Sequence, residues 1–467
     1  MTLVDGDGTA GATRTEQVMG AIRRRMTRHA VSAGEKLPSI RRLARELQVS
    51  PSTVVEAYDR LAAQGLIRSR PGSGFYAAGA PAAPLGLAEA EPRLDRAIDP
   101  FWVSRQSLDA APHVRRPGCG WLPPDWMPEA ALRRALRALA RADAAVLTDY
   151  GQTRGCPALR HLLARQLAAE GIEAGADQIV LTPSGTQAID LICRFLLAPG
   201  DTVLVDDPCY FNFQALLRAH RVNIVGVPFT PTGPDVACFA AALATHRPRL
   251  YVTNSALHNP TGATLAPRTA HQVLTLAAAH DLTIVEDEIF ADFEPEPSAR
   301  LAALDGLARV VRIGSFSKTL SASIRCGYIV ARPDWIEGLR DLQVATNFGS
   351  PSPLAAELVL RTLGDGSYRK HLAALRGRLA KRRRELADAL AGLDVRPWCE
   401  PRGGFYLWCR LPAGRDAAQV AQAALAEEVV LAPGNVFSVS QSATDFMRFN
   451  VAQTDGAALR VLARALG

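Results

Sequence analysis

Two different patterns of apolar and polar positions divide the sequence. In the first 80 residues, apolar positions recur at helical spacing in three short stretches, 21–29, 40–47 and 52–64. Two short extended runs follow them, joined by a Pro-Gly-Ser-Gly turn at 71–74. This order predicts three short helices and a two-stranded hairpin. The next residues, up to about 92, are rich in Ala, Pro and Gly without periodicity, which is typical of a linker.

From about residue 98 the pattern changes to short apolar runs separated by helical stretches. Such alternation favours a mostly parallel sheet with helices on both faces. The predicted strands are 179–182, 202–205, 223–227, 250–253, 283–285, 310–313 and 328–330. Three later runs, 385–390, 404–410 and 447–452, indicate a smaller α+β part. The chain is therefore predicted to be multidomain, with a mainly α head, residues 11–76, a linker, 77–97, and an α/β body, 98–467.

Charge separates the same two regions. The 467 residues carry 53 Lys+Arg and 46 Asp+Glu, a formal charge of +7. Residues 11–80 hold 12 of the basic and 5 of the acidic residues, so the rest of the chain is balanced. This excludes a uniformly basic nucleic-acid coat and a polybasic membrane anchor. No apolar run is long enough to span a membrane, and the first 20 residues do not have the pattern of a secretory signal.

The eight cysteines form no Cys-x-x-Cys pair and no metal-ligand spacing. They are predicted to be reduced thiols of a cytoplasmic protein, and no metal site is expected.

The basic head has the order of elements of a winged helix-turn-helix, a DNA-binding fold. Arginine side chains neutralise phosphates, and a helix of this width reads base edges in the major groove. The hairpin offers Arg68 and Arg70. The alternative is a helical bundle whose surface arginines serve docking.

The sequence Gly-Glu-Lys-Leu-Pro-Ser-Ile-Arg-Arg-Leu-Ala at 34–44, followed by Ser-Pro-Ser-Thr-Val at 50–54, resembles the GntR family of bacterial regulators. The resemblance implies contacts with double-stranded DNA, over paired operator half-sites. It implies DNA-contacting roles for Arg41, Ser52, Thr53 and Gly72.

The large region contains one lysine in an unusual setting. Of the four lysines in the chain, Lys318 follows the apolar run 310–313, within Gly-Ser-Phe-Ser-Lys-Thr-Leu-Ser. A lysine there is predicted to be partly desolvated, which lowers its pKa and suits Schiff-base chemistry with an aldehyde. The other three are most simply solvated charges. Alone, a Ser-x-x-Lys sequence is a weak signal.

Three further motifs follow predicted strands. Pro-Ser-Gly-Thr-Gln at 183–187 opens a helix and predicts an anion site, because free N–H groups at a helix start bind anions. His-Asn-Pro-Thr-Gly occupies 258–262, and Glu-Asp-Glu ends a strand at 286–288. An aspartate there could pair with a protonated pyridine nitrogen. Taken singly, the three motifs also fit a capped helix, a turn and an acidic loop.

The order and spacing of the four motifs resemble fold-type I pyridoxal 5′-phosphate enzymes, the aspartate aminotransferase superfamily, over residues 98–467. The resemblance implies that Lys318 forms the internal aldimine, Asp287 pairs the ring nitrogen, Asn259 bonds the ring 3′-oxygen and Tyr210 stacks on the ring. Those implied to hold the phosphate are Gly185, Thr186, Gln187, Ser315, Ser317 and Arg325.

Three more positions carry the resemblance further. Tyr150, in Tyr-Gly-x-x-x-Gly, resembles the tyrosine that reaches a phosphate in the neighbouring subunit, which implies a homodimer. Arg448 matches the arginine that clamps a substrate α-carboxylate. Phe290 departs from the family, which has Asp-x-x-Tyr where this chain has Asp-Glu-Ile-Phe. The absent hydroxyl puts catalytic competence in doubt, not cofactor binding.

A GntR-like head on an aminotransferase-like body resembles the MocR subfamily of bacterial regulators. The resulting hypothesis is a transcription factor whose body senses pyridoxal phosphate, an amine or amino acid, or both, through a Schiff base at Lys318. One alternative is a working aminotransferase with an appended regulatory head. Another is a body that binds a small molecule without a covalent step.

Overall fold

The computed structural model describes residues 13–27, 35–70, 72–78, 102–349 and 351–467. The chain divides into two compact units, Met1–Arg96 and Ala97–Gly467. Of the linker predicted at 77–97, only the first two residues lie within the described part of the chain.

The first unit has the three helices and the hairpin that the apolar pattern predicts. Its elements are α1 (Arg14–Thr27), α2 (Ile40–Leu47), α3 (Pro51–Ala63), β1 (Ile67–Arg70) and β2 (Gly74–Ala77). The first helix begins at Arg14, before the predicted start at residue 21, and the strands pair antiparallel.

Serine caps set the starts of α2 and α3. The Oγ atoms of Ser39 and Ser50 each accept a hydrogen bond from the backbone N–H three residues later, at 3.4 and 3.2 Å. Leu43 and Val54 belong to the apolar core that the helices share. The hydroxyl of the buried Tyr58 donates to a backbone carbonyl at 2.7 Å, so this core leaves its tyrosine satisfied.

The second unit is built on an eight-stranded sheet. Its strands are β3 (Ile179–Thr182), β4 (Thr202–Asp207), β5 (Asn223–Thr230), β6 (Gly233–Pro234), β7 (Leu250–Thr253), β8 (Thr283–Asp287), β9 (Val310–Ser315) and β10 (Gly327–Val330). The order across the sheet is β3-β10-β9-β8-β7-β4-β5-β6. The predicted parallel pairing is confirmed for the five adjacent strands β5, β4, β7, β8 and β9.

Strand β10 is antiparallel to both of its neighbours, unlike the mostly parallel arrangement expected for it. The connection from β9 to β10, residues 316–326, contains no helix that could carry the chain back across the sheet. The sheet is therefore mixed, and this short connection is the one that carries Lys318.

Helices cover both faces of the sheet. The helices of this region are, in chain order, α4 (Trp102–Asp109), α5 (Glu129–Leu139), α6 (Ala144–Thr148), α7 (Pro157–Ala169), α8 (Gly185–Leu196), α9 (Phe211–Ala219), α10 (Val236–His246), α11 (Pro267–Ala279), α12 (Leu301–Asp305), α13 (Pro333–Asn347) and α14 (Pro353–Gly364), and α4 packs instead into the core of the smaller part described below. Alternate residues of β4 enter separate apolar clusters, Leu204 with Leu163 of α7, and Val203 with Ile192 of α8. Burial on both faces explains why the strands read as continuous apolar runs.

The predicted smaller α+β part is confirmed. It contains α15 (Ser367–Ala391), α16 (Ala417–Ala426), α17 (Gly456–Leu466) and the strands β11 (Arg396–Pro397), β12 (Tyr406–Arg410), β13 (Ala432–Pro433) and β14 (Phe446–Asn450). These strands form an antiparallel sheet in the order β11-β12-β14-β13, which packs with the helices around Trp408, Phe437 and Phe449.

Within the described ranges, no helix combines the length and apolar character needed to cross a bilayer. The same residues contain no group of three or more His, Cys, Asp and Glu side chains placed to bind a metal ion.

Candidate functional site

A cavity of about 380 Å³ lies at the carboxyl ends of the central strands. Strand β8 ends in Asp287, β9 leads into Ser317 and Lys318, and β3 leads into Ser184 and Gly185. Ligands bind at this edge in open α/β sheets, because the strand-to-helix loops meet there. Residues far apart in the sequence thus line one space.

One end of the cavity is suited to an anion. The predicted residues Gly185 and Thr186 form the first turn of α8, where backbone N–H groups have no partner within the helix. Ser315, Ser317 and Arg325 line the same end, and the two serine hydroxyls lie 3.0 Å apart.

Gln187, also predicted to bind phosphate, takes a different position. Its backbone N–H donates to the capping Ser184 Oγ at 3.1 Å, and its side chain is absent from the cavity wall. The contact that Gln187 makes therefore stabilises the start of α8.

Lys318 also lines the cavity. Its Nζ atom donates a hydrogen bond of 2.6 Å to the carbonyl oxygen of Gly120. Burial, helped by the nearby Arg448 guanidinium, lowers the pKa of Lys318 to about 8. A larger fraction of this amine is therefore uncharged near neutral pH than for a solvated lysine.

Asp287 faces the same cavity from the end of β8. Burial raises the pKa of its carboxyl to about 6, while the Ile289 N–H donates to Oδ1 at 3.2 Å. Its backbone carbonyl accepts a hydrogen bond of 2.8 Å from Asn254 Nδ2. Asn254 also lines the cavity, and the sequence analysis did not select it.

Asn259 and Arg448 are directly linked. Arg448 Nη1 donates to Asn259 Oδ1 at 2.8 Å, and Nη2 donates to the Gly118 carbonyl at 2.7 Å. The guanidinium carbon lies 4.2 Å from the ring centroid of Tyr406 and 4.7 Å from that of Phe437. Arg448 is 1% exposed and is not among the residues that line the cavity, and its Nε has no hydrogen-bond partner within the described residues.

A buried network behind Asn259 joins the motif at 258–262 to Asp206, which the sequence analysis did not select. His258 Nε2 lies 3.2 Å from Asp206 Oδ2, and its Nδ1 lies 2.8 Å from Thr261 Oγ1. The Phe229 ring stacks on the imidazole at 3.8 Å between centroids. Asp206 lies at the end of a strand, as Asp287 does, and that position was the available signal.

Aromatic side chains form the apolar wall of the cavity. Tyr210 immediately precedes α9 and lines the cavity, as does Phe290, which stands where the resembled family has tyrosine. The Phe290 ring packs edge-on against Phe405 and Tyr406, at 5.7 and 5.5 Å between centroids. Position 290 thus contributes apolar surface where a hydroxyl was expected from the family.

Tyr150 does not line this cavity. It is 82% exposed, and its ring meets the exposed Phe348 edge-on at 5.0 Å between centroids. Its predicted role concerns a neighbouring subunit, and its exposure is compatible with such a role.

The residues predicted to contact DNA lie on the surface of the first unit. Arg41 is exposed on α2, and Ser52 and Thr53 are in the first turn of α3. Both of these hydroxyls lie 2.8 Å from the Ser50 hydroxyl, which holds them beside the N–H groups of that turn.

The wing carries the remaining predicted contacts. Arg68 and Arg70 are exposed on β1, and the Arg70 guanidinium carbon lies 4.5 Å from the Tyr76 ring centroid. Gly72 has φ +70°, a conformation that favours glycine, and no heavy atom lies within 4 Å of where its Cβ would be. The turn at the wing tip is therefore open to an approaching surface.

These features define a class of protein: a winged helix-turn-helix unit in the same chain as a fold-type I aminotransferase unit. "Aminotransferase class I and II" is the family description that matches residues 123–466. "Bacterial regulatory proteins, gntR family" matches residues 14–77. The chain belongs to the aminotransferase class I and II family and carries a GntR domain, a combination consistent with the MocR subfamily.

Relatives with similar sequences extend over nearly the whole chain. An uncharacterized HTH-type transcriptional regulator of Escherichia coli (strain K12), YdcR, is 29% identical over 94% of this chain and 94% of its own length. YisV of Bacillus subtilis (strain 168), described in the same words, is 28% identical over 87% and 86%. The HTH-type transcriptional regulator NorG of Staphylococcus aureus (strain USA300) is 26% identical over 86% and 92%.

Solved structures resemble the fold of the second unit. The Pyrococcus horikoshii kynurenine aminotransferase covers 80% of this chain and 95% of its own, with a TM-score of 0.73 and 24% identity. The α-aminoadipate aminotransferase LysN of Thermus thermophilus gives the same coverage and identity with a TM-score of 0.71.

Proposed function

We propose that this protein is a pyridoxal phosphate-dependent transcriptional regulator that binds DNA through its GntR domain and senses an amino compound in the cavity of its aminotransferase domain. The observation that carries the proposal is a half-buried lysine of lowered pKa that lines one cavity with a buried aspartate, in a chain that also has a GntR domain. Regulator-named relatives of similar length support this conclusion.

The residues around the cavity fit pyridoxal phosphate. The first turn of α8, Ser315, Ser317 and Arg325 would hold the phosphate, and Asp287 would pair the ring nitrogen. When bound, the cofactor supplies an electrophilic aldehyde and a ring that withdraws electrons. Lys318 is the amine in reach of that aldehyde, and a ligand amine competes with it for the same position.

Sensing requires that the ligand favour one of two arrangements of the DNA-binding units. A ligand can shift such an equilibrium only by the difference in its affinity for the two states. The exposed Tyr150–Phe348 pair supports a homodimer, because a second copy would cover these rings and bring two GntR domains to paired half-sites.

The pH dependence of cofactor attachment follows from the lysine. The uncharged amine is the nucleophile, so the rate of covalent attachment should rise as the pH approaches about 8 and level off above it. Arg448→Met removes a positive charge that lowers this pKa, so its rise should move to higher pH. The measurement is the initial rate of cofactor incorporation, trapped with borohydride, across the pH range. A midpoint at the pKa of an ordinary solvated lysine would contradict the assigned environment.

DNA binding should depend on exposed arginines of the first unit that have no acidic partner among its described residues. Arg41→Ala should weaken binding to operator DNA and lower the slope of log affinity against log salt by about 0.9, the loss of one phosphate contact. Arg60 is the matched control, because it pairs with Glu56 on α3 at contact distance. Fluorescence anisotropy at several salt concentrations measures both. Equal slopes for Arg41→Ala, Arg60→Ala and wild type would remove Arg41 from the interface.

The proposal is tested by measuring operator affinity of the full chain with cofactor alone and with cofactor plus each standard L-amino acid. A specific, salt-sensitive complex whose affinity changes with one of them is the expected result. Steady turnover of an amino donor and a keto acid without specific DNA binding would instead favour an aminotransferase. Aminotransferase activity is the second candidate function, because Asp287, Asn259 and Lys318 line one cavity.

A further inference from the structure

A tyrosine that the sequence analysis did not single out lies beside Lys318. Tyr406 begins β12, is 5% exposed and lines the cavity with Gly120. A Cβ atom on Gly120 would lie 3.3 Å from the Tyr406 hydroxyl oxygen and 3.8 Å from Lys318 Nζ. The hydroxyl and the amine therefore face one small space, which stays open because residue 120 is glycine.

The Tyr406 side chain lines the cavity, and its hydroxyl forms no hydrogen bond with another described residue. Burial raises the pKa of Tyr406 well above its usual value, although the Arg448 guanidinium opposes that change, so the phenol stays protonated. A hydroxyl that faces the cavity without a partner in the protein can donate to a ligand. An acceptor on a bound ligand would satisfy it.

The ring is held firmly in this position. Phe290 packs edge-on against it, and the Arg448 guanidinium lies over its face, 4.2 Å from the centroid. Tyr406 also pairs with Asn450 across β12 and β14, two residues from Arg448. A hydroxyl donor thus lines the cavity together with Lys318, and a buried cation packs on the ring that carries this hydroxyl.

We propose that Tyr406 is a specificity-determining residue, whose hydroxyl donates a hydrogen bond to the carboxylate of an α-amino acid bound with its amino group at Lys318. Arg448 supplies the charge that attracts the same carboxylate. The site then selects α-amino acids over simple amines, because only the amino acid places an anionic acceptor one carbon from its amine. This inference rests on the proposed function, in which an amino compound binds in this cavity.

The test uses the full chain saturated with pyridoxal phosphate. Calorimetry gives the Kd of each of the twenty standard L-amino acids and, for the tightest, of the amine that lacks the α-carboxyl group. Tyr406→Phe should weaken binding of the amino acid about ten- to a hundredfold, as expected for a lost hydrogen bond to a charged group, and leave binding of the amine unchanged.

Two further variants separate this role from a general loss of structure. Tyr368→Phe removes a buried hydroxyl outside the cavity, one that bonds Asp292 and Thr319, and should leave both Kd values unchanged. Gly120→Ala fills the space beside the hydroxyl and should weaken binding of the amino acid more in wild type than in Tyr406→Phe.

The outcomes are distinct. If Tyr406→Phe alters both Kd values equally, or neither, the role of Tyr406 is wrong while the sensing function stands. If the wild-type protein binds neither the amino acids nor the amine, the proposed sensing function is wrong, and the role of Tyr406 is wrong as well.

Discussion

Lys318→Ala should abolish covalent attachment of pyridoxal phosphate and the response of DNA binding to amino compounds. All four lysines lie within the described residues, and of these Lys318 alone lines the cavity, while Lys36, Lys370 and Lys381 are exposed. Incubation with the cofactor, reduction with borohydride and intact mass measurement should show one added cofactor on the wild-type chain and none on the variant. The amine of Lys318 cannot be replaced by any neighbour, because no other lysine of the described residues reaches the cavity.

Lys370→Ala is the matched control, since it removes an exposed lysine on α15 and should retain one cofactor per chain. Operator affinity in the absence of amino compounds should survive in Lys318→Ala, because that residue lies outside the DNA-binding unit. Cofactor recovered on the Lys318→Ala chain at wild-type yield, or an unchanged response to the amino compound, would contradict the proposed sensing step.

Arg300→Met should destabilise the second unit by about 3–5 kcal/mol, the range found when a buried ion pair loses one partner. Arg300 is 4% exposed; its Nε lies 2.6 Å from Glu288 Oε2 and its Nη2 lies 2.6 Å from Glu294 Oε2. Without the guanidinium, two carboxylates with side chains almost fully buried lose their counter-charge. Urea unfolding followed by tryptophan fluorescence measures the change in the free energy of unfolding.

The pH dependence of this loss provides a second readout. Burial raises the pKa of Glu288 and Arg300 opposes the rise, so removing Arg300 should raise it further. The folded variant then binds protons more tightly than the unfolded chain, and its stability should fall as the pH rises through that pKa. The destabilisation should therefore shrink towards acidic pH, and Glu288→Gln with Glu294→Gln should restore part of it.

Arg309→Met serves as the control for this prediction. Arg309 pairs with Asp281 at 2.7 Å, but the two side chains are 34% and 95% exposed, so the pair should contribute less than about 1 kcal/mol. Equal losses for the two arginine variants would mean that burial does not govern the Arg300 network.

Much of this fold can be predicted from the sequence, because strands that are buried on both faces of the sheet have continuous apolar runs. Strands β3 and β7 begin and end where the pattern predicts. The direction of β10 could not be predicted from the sequence, because it depends on the path of the connection that follows β9 and carries Lys318. Burial patterns report which residues face the core, and they carry no information on strand direction.

Some residues of the cavity could be predicted from the sequence, and others could not. Asp287, Asn259 and Lys318 were predicted because each follows a strand end and the family resemblance supplied their roles. Gly120 and Tyr406 were missed because they reach the cavity from segments outside the main sheet. Only the packing of the second unit brings them to Lys318, and neither belongs to a motif that could be recognised. The predicted roles of Gln187 and Tyr150 remain predictions.

The scarcity and placement of lysine have a practical consequence for labelling. Amine-reactive dyes modify accessible uncharged amines, so with pyridoxal phosphate attached to Lys318 they should react with the exposed Lys36, Lys370 and Lys381. Replacing Lys36 with arginine would confine the lysine-attached dyes to one helix, α15, far along the sequence from the GntR domain. A fluorophore or surface tether could then be attached through the body of the protein, with the cofactor amine and the DNA-binding surface chemically untouched.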